Sequence, residues 1–69
     1  MSEIKEKDRV AYLPGHAFGD INHPDVEYGT VSSLGRINNA FVKFDQHVKK
    51  FGWEGATSQS CDLSDLRKL

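Results

Sequence analysis

Between residues 28 and 44 the apolar positions fall into two short runs, Tyr28-Gly29-Thr30-Val31-Ser32-Ser33-Leu34 and Ala40-Phe41-Val42-Lys43-Phe44, separated by Gly35-Arg36-Ile37-Asn38-Asn39. β-Branched and aromatic residues populate the runs and turn formers fill the gap, so the stretch predicts an antiparallel hairpin. In the second run Ala40, Val42 and Phe44 alternate with Phe41 and Lys43, which predicts one buried face and one face bearing an aromatic ring and a cation. Gly29 predicts a bulge or a close crossing of backbones. A lone hairpin is marginal in water, so the flanking segments must supply further strands.

Upstream, residues 8–13 read as a first strand with Val10 and Tyr12 on one face, stopped by Pro14-Gly15. Residues 14–27 carry Pro, Gly, Asn and Asp without a sustained period and predict a long loop, with Phe18, Ile21 and Val26 folding back over one open end of the strands. Residues 46–55 place Lys49 and Lys50 beside Phe51 and Trp53 and include Gly52 and Gly55. That stretch is too polar and too Gly-broken to be expected as a helix. Residues 56–61 are expected as a weak fourth strand, with Thr57, Gln59 and Cys61 on one face and Ala56, Ser58 and Ser60 on the other. Asp62-Leu63-Ser64-Asp65-Leu66 predicts a single 3₁₀ turn, and 67–69 a last short strand. Residues 1–7 alternate charges around Ile4 and are expected as a flexible lead-in, disordered at its start, to one domain spanning 8–69. The expected core is Val10, Tyr12, Val31, Ala40, Val42, Phe44, Leu63 and Leu66.

With 69 residues the chain is one domain, near the lower limit for a core without a metal or disulfide, and too small for two lobes around a cleft. A formal net charge of −1 excludes a global polyanion-binding surface, leaving only local charge patches to matter. The single cysteine, Cys61, has no partner for an internal disulfide and is expected as a buried structural thiol. No apolar run approaches the ~18 residues of a membrane span. The expectation is a soluble protein of a reducing cytoplasm, with no membrane partner.

The order of a strand opening Asp8-Arg9-Val10, a long loop, a hairpin beginning Tyr28-Gly29-Thr30-Val31 and returning as Phe41-Val42-Lys43-Phe44-Asp45, a fourth strand, and a one-turn helix before a terminal strand resembles the SH3-like barrels over residues 8–69. The likeness implies an all-β, five-stranded barrel with one 3₁₀ turn before the last strand. Within that class the chain looks closest to the Tudor and KOW-type barrels. It also resembles small phage- and prophage-encoded proteins, through His16-Ala17-Phe18-Gly19-Asp20-Ile21-Asn22-His23-Pro24-Asp25 and Thr57-Ser58-Gln59-Ser60-Cys61-Asp62. The chain departs from the KOW opening in having Lys7 where a Gly precedes the Asp-Arg-Val. The resemblance implies a binding module in a bacterial host cytoplasm, on a fold that hosts many unrelated functions.

Two constellations carry candidate chemistry. His16, Asp20, His23, Asp25 and Glu27 put five possible metal ligands in twelve residues of loop, yet without a recognised zinc spacing; turn structure is the expected account, a metal loop using His16 and His23 stays open beside it, and no metal or cofactor is assigned. The second is Arg36, Lys43, Lys49 and Lys50 with Phe41, Phe51 and Trp53. Between residues 36 and 53 there are four cations and one acid, whereas residues 10–35 carry three acids and no cation. Phe41, Lys43, Lys49, Lys50, Phe51 and Trp53, with His16 and Phe18 of the loop, are expected to bind a protein partner. Weak binding of single-stranded nucleic acid by bases stacked on the aromatics is the alternative. Trp53 is expected to pack its ring on the barrel with one edge exposed beside Phe41 and the long loop. No spacing places a nucleophile beside a base, so the chain is not expected to be an enzyme.

Overall fold

The computed structural model describes residues 4–17 and 19–69. The disorder expected at the very start falls on residues 1–3, and the covering role given to Phe18 on residue 18; both lie outside the described residues. Five strands, β1 (Arg9–Tyr12), β2 (Glu27–Leu34), β3 (Asn39–Phe44), β4 (Gln59–Asp62) and β5 (Leu66–Lys68), form one antiparallel sheet in the order β4-β3-β2-β1-β5. A 3₁₀ turn over Leu63–Asp65 joins the two edge strands, so the sheet bends until one end of β4 meets the start of β5. The sheet is otherwise open between these edges.

The bend lets residues from all five strands share one core. Val10, Val31, Ala40, Val42, Phe44, Cys61 and Leu66 are buried together, and Ile4, Tyr12 and Leu63 pack against them half-buried. Ala40, Val42 and Phe44 point inward while Asn39, Phe41 and Lys43 face out, following the period-two pattern. Tyr12 meets Phe44 edge to face at 6.1 Å. Ala11 is also buried: β1 is flanked by β2 and β5, and so small a side chain is covered on either face. Ala56 is buried ahead of β4, which starts three residues later than the pattern predicts, at Gln59.

Gly29 marks a close crossing. A Cβ there would lie 2.7 Å from Val42 Cγ1 and 2.8 Å from the Lys43 carbonyl oxygen. The bulge comes three residues later, where Val31 pairs with Val42 and Ser33 with Phe41, leaving Ser32 between. Its hydroxyl donates to the Phe41 carbonyl at 3.0 Å and lies 2.8 Å from Ser58 Oγ, so the irregular backbone is bonded on both sides. The lead-in is tied to the sheet as well. Lys7 N–H donates to the Val31 carbonyl and Val31 N–H to the Asp8 carbonyl, with Lys7 at φ 71°.

The connection after β3 corrects the sequence reading. Residues 46–55 are helical within α1 (Asp45–Gly55), interrupted at Gly52 with φ 78° and ψ 167°. The glycine that argued against a helix divides this one instead of preventing it. Gln46, Val48, Lys49 and Lys50 need only form the turns before it, and Ala56 N–H closes the end on the Gly52 carbonyl at 3.0 Å. No α1 residue is buried: Val48 is half-buried and Phe51 and Trp53 are exposed, so its few apolar positions pack only in part against the sheet. Among the described residues no helix is long and apolar enough to cross a membrane.

Candidate functional site

A bidentate ion pair anchors α1. Arg9 on β1 reaches across β2, donating to Thr30 Oγ1 at 3.0 Å and through both terminal nitrogens to the Asp45 carboxylate at 2.6 and 2.7 Å. Register explains the reach: Arg9 stands opposite Thr30, and Thr30 opposite Lys43, so the three side chains form a row across β1, β2 and β3. Asp45 occupies the first turn of α1, where a negative charge also favours the helix dipole. The hydrogen bonds from Arg9 hold the Asp45 carboxyl below its ordinary range against the opposing effect of burial.

The same row leads to the basic and aromatic group. The Lys43 ammonium lies 4.5 Å from the Trp53 ring centre and donates to the Trp53 carbonyl at 2.6 Å. Lys50 lies 5.3 Å from the Phe51 ring centre, and His47 meets Phe51 edge to face at 6.5 Å. Trp53 is 38% exposed and Phe51 58% exposed. Trp53 is therefore exposed, with the Lys43 ammonium over its ring.

Phe41 is half-buried on the outward face of β3, two residues from Lys43, and borders a groove of 560 Å³ with Leu34, Arg36 and Ile37 of the hairpin tip. Leu34 is exposed and Ile37 is 84% exposed. Arg36 is thus at the far end of β3 from Trp53, and the basic and aromatic residues are spread along the outward face of β3 instead of forming one cluster. Asn39 to Lys43 spans about 13 Å at strand rise, with Phe41 in the middle.

The sequence reading missed a second depression at the hairpin end. Ile4, Leu34, Leu63 and Leu66 line a cleft of 730 Å³ with Arg36 and Arg67 at its border. Three separate segments build it, Leu34 sharing the face of its partner Ala40, and no local sequence pattern joins them. Cys61 lies inside the protein, and burial pushes its thiol up, with Asp65, Asp62 and Glu27 adding in the same direction. A protonated, covered thiol is a poor nucleophile.

On the 14–27 loop the structure draws three of the five candidate ligands together. His16, which follows Gly15 in a short 3₁₀ turn (Gly15–Ala17), approaches Asp25 with Nε2 and Oδ2 2.6 Å apart. The His16 and His23 rings meet edge to face at 5.3 Å. Asp20 instead holds a turn, accepting from Asn22 N–H at 2.9 Å, and Glu27 begins β2. Ile21 is exposed and Val26 half-buried, so the expected cover over the strand ends is partial. No protein-family model, curated protein or solved structure matches the chain.

Proposed function

We propose that this chain is a non-catalytic binding module built as an SH3-like barrel, whose partner is a protein held along the outer face of β3 and by α1. The fold part is supported by the order β5-β1-β2-β3-β4 with a 3₁₀ turn directly before the last strand. It is further supported at Lys7, where φ is 71°: the position of the KOW-type glycine keeps the left-handed backbone a glycine would supply. A role as a small accessory protein of a phage or prophage, acting in the host cytoplasm, rests on the loop and Thr57-to-Asp62 motifs alone.

One observation carries the binding reading. Helix α1 has no buried residue and leaves Phe51 and Trp53 exposed, with Lys43 at the Trp53 ring and Phe41 farther along the same face of β3 bordering a groove with Ile37. Exposed aromatics beside cations suit a partner surface that is apolar and acidic, and interface energy concentrates in such anchors. The half-buried Phe41 and the charge of Lys43, Lys49 and Lys50 fit the same face. The buried, protonated Cys61 supports the non-catalytic part of the reading. Single-stranded nucleic acid is the second reading, favoured by the four cations between residues 36 and 53. The Lys43 ammonium already occupies the Trp53 ring, which leaves less of it for a base.

The test compares capture from host cytoplasm by the parent, by a Phe51→Ala/Trp53→Ala variant and by Ser64→Ala, with a thermal melt on each sample. The reading expects a partner retained by Ser64→Ala and lost by the double variant while the melt stays within a few degrees. Retention by a folded double variant contradicts it. A single-stranded oligonucleotide titrated at low and physiological salt separates the two classes: binding that weakens steeply with salt and fails in the double variant favours nucleic acid.

A further inference from the structure

We propose that His16, His23 and Asp25 form a binding site for a divalent transition ion of the zinc class, with water completing the coordination. One ligand atom from each lies within 4.8 Å of the other two. Two imidazoles and one carboxylate are a donor set that suits zinc and its neighbours and discriminates against magnesium and calcium, which prefer oxygen alone. A three-ligand site keeps an open position, and His16 and Asp25 border a cleft of 430 Å³ with Tyr12, Pro14 and Gln46, which leaves room for a bound water.

Local turn geometry accounts for only part of this arrangement. His23 N–H donates to the Asp20 carbonyl, Val26 N–H to the His23 carbonyl, and Asp25 N–H to His23 Nδ1 at 3.0 Å, so short-range bonds shape residues 20–26. None of those bonds requires His16, nine residues before Asp25, to bring its imidazole to that carboxylate. The two ends of the loop converge at their metal-ligating atoms. The surrounding charge points the same way, since residues 10–35 carry Asp20, Asp25 and Glu27 and no lysine or arginine.

Shifts of at most about 1.5 Å separate the observed ligand atoms, all within 4.8 Å of one another, from a coordinated geometry. Tetrahedral zinc with bonds of ~2.0–2.1 Å holds its ligand atoms about 3.3 Å apart. The His16 Nε2 and Asp25 Oδ2 atoms, now 2.6 Å apart around a shared proton, open by under about 1 Å as the ion replaces that proton. His16 then carries its proton on Nδ1. His23 supplies the third ligand atom, a ring nitrogen within 4.8 Å of the other two, and its Nδ1 accepts the Asp25 N–H. These side chains lie at the surface, 61% exposed for His16 and 60% for Asp25, so the exchange needs no opening of the core.

The experiment is calorimetric titration of zinc chloride into the full chain, with His16→Ala, His23→Ala, Asp25→Asn and His47→Ala measured alongside. His47 is the third histidine, on α1, and serves as the control. The expected result is about one equivalent of zinc bound by the parent and by His47→Ala, with affinity lowered about tenfold or more in each loop variant. The melting temperature should rise with zinc in the parent and not in His16→Ala/His23→Ala. Absence of zinc binding by the parent, equal binding by the loop variants, or calcium binding as tightly as zinc would overturn the site.

Discussion

The β2–β3 hairpin and helix α1 follow one another without a gap, yet they are held by different physics. Val31, Ala40, Val42 and Phe44 of the hairpin are buried in the common core, and ladder bonds run to neighbours on both sides. Helix α1 has no buried residue and is fastened by the Arg9–Asp45 pair and by Lys43 at Trp53. Burial free energy scales with apolar area removed from water, whereas an exposed ion pair contributes little. The difference separates the element that keeps the chain folded from one held at its surface.

The largest expected effect breaks the hairpin side of that contrast. Val42 is fully buried, and Val42→Ala removes two methyl groups and leaves a cavity, so chemical denaturation should show a loss of about 2 kcal/mol or more. An unchanged midpoint would mean the buried face of β3 is assigned to the wrong residues. Gly29→Ala acts through crowding: its Cβ would meet Val42 Cγ1 and the Lys43 carbonyl oxygen below 3 Å, and that oxygen belongs to backbone. A destabilisation of about 1–3 kcal/mol should follow. A smaller gain is expected from Lys7→Gly, which relieves a left-handed lysine at some cost in unfolded-chain entropy, for a net stabilisation of about 0.5 kcal/mol in the same assay.

How much of this could be read from residues alone follows the same division. The hairpin was legible because alternation in Ala40-Phe41-Val42-Lys43-Phe44 is the direct imprint of burial on one face. Helix α1 was not: it buries no stripe, and its anchor joins residues 36 positions apart, a pairing that only the sheet register creates. Gly52, taken as a helix breaker, supplies the positive φ of the kink. The aromatic and basic residues were identifiable by type, but their spread along β3 depends on Phe41 and Lys43 sharing the outward face of β3 while Arg36 stays at the tip. The His16–Asp25 convergence was invisible because no local spacing encodes a contact across a loop.

The smallest effect lies at the anchor. Asp45→Asn should cost a few tenths of a kcal/mol, since both partners are about half exposed. Because the folded Asp45 carboxyl titrates below its ordinary range, the contribution is present above the unfolded carboxylate value of ~3.9 and is lost as pH falls through the folded one. Melting temperatures of parent and variant should therefore differ slightly at pH 6 and converge toward pH 3. A gap that widens in acid would show that the pair has been given the wrong sign.

The most direct test of the separation between fold-holding sheet and exposed helix is native-state amide hydrogen exchange on the parent protein. Amides of the central strands β2 and β3, Val31 with its bond to the Asp8 carbonyl among them, should exchange only through global unfolding, while amides in α1 exchange through local opening and are about a hundredfold or more less protected. Protection of α1 equal to that of the ladder would contradict the account, because the helix would then belong to the same cooperative unit as the core.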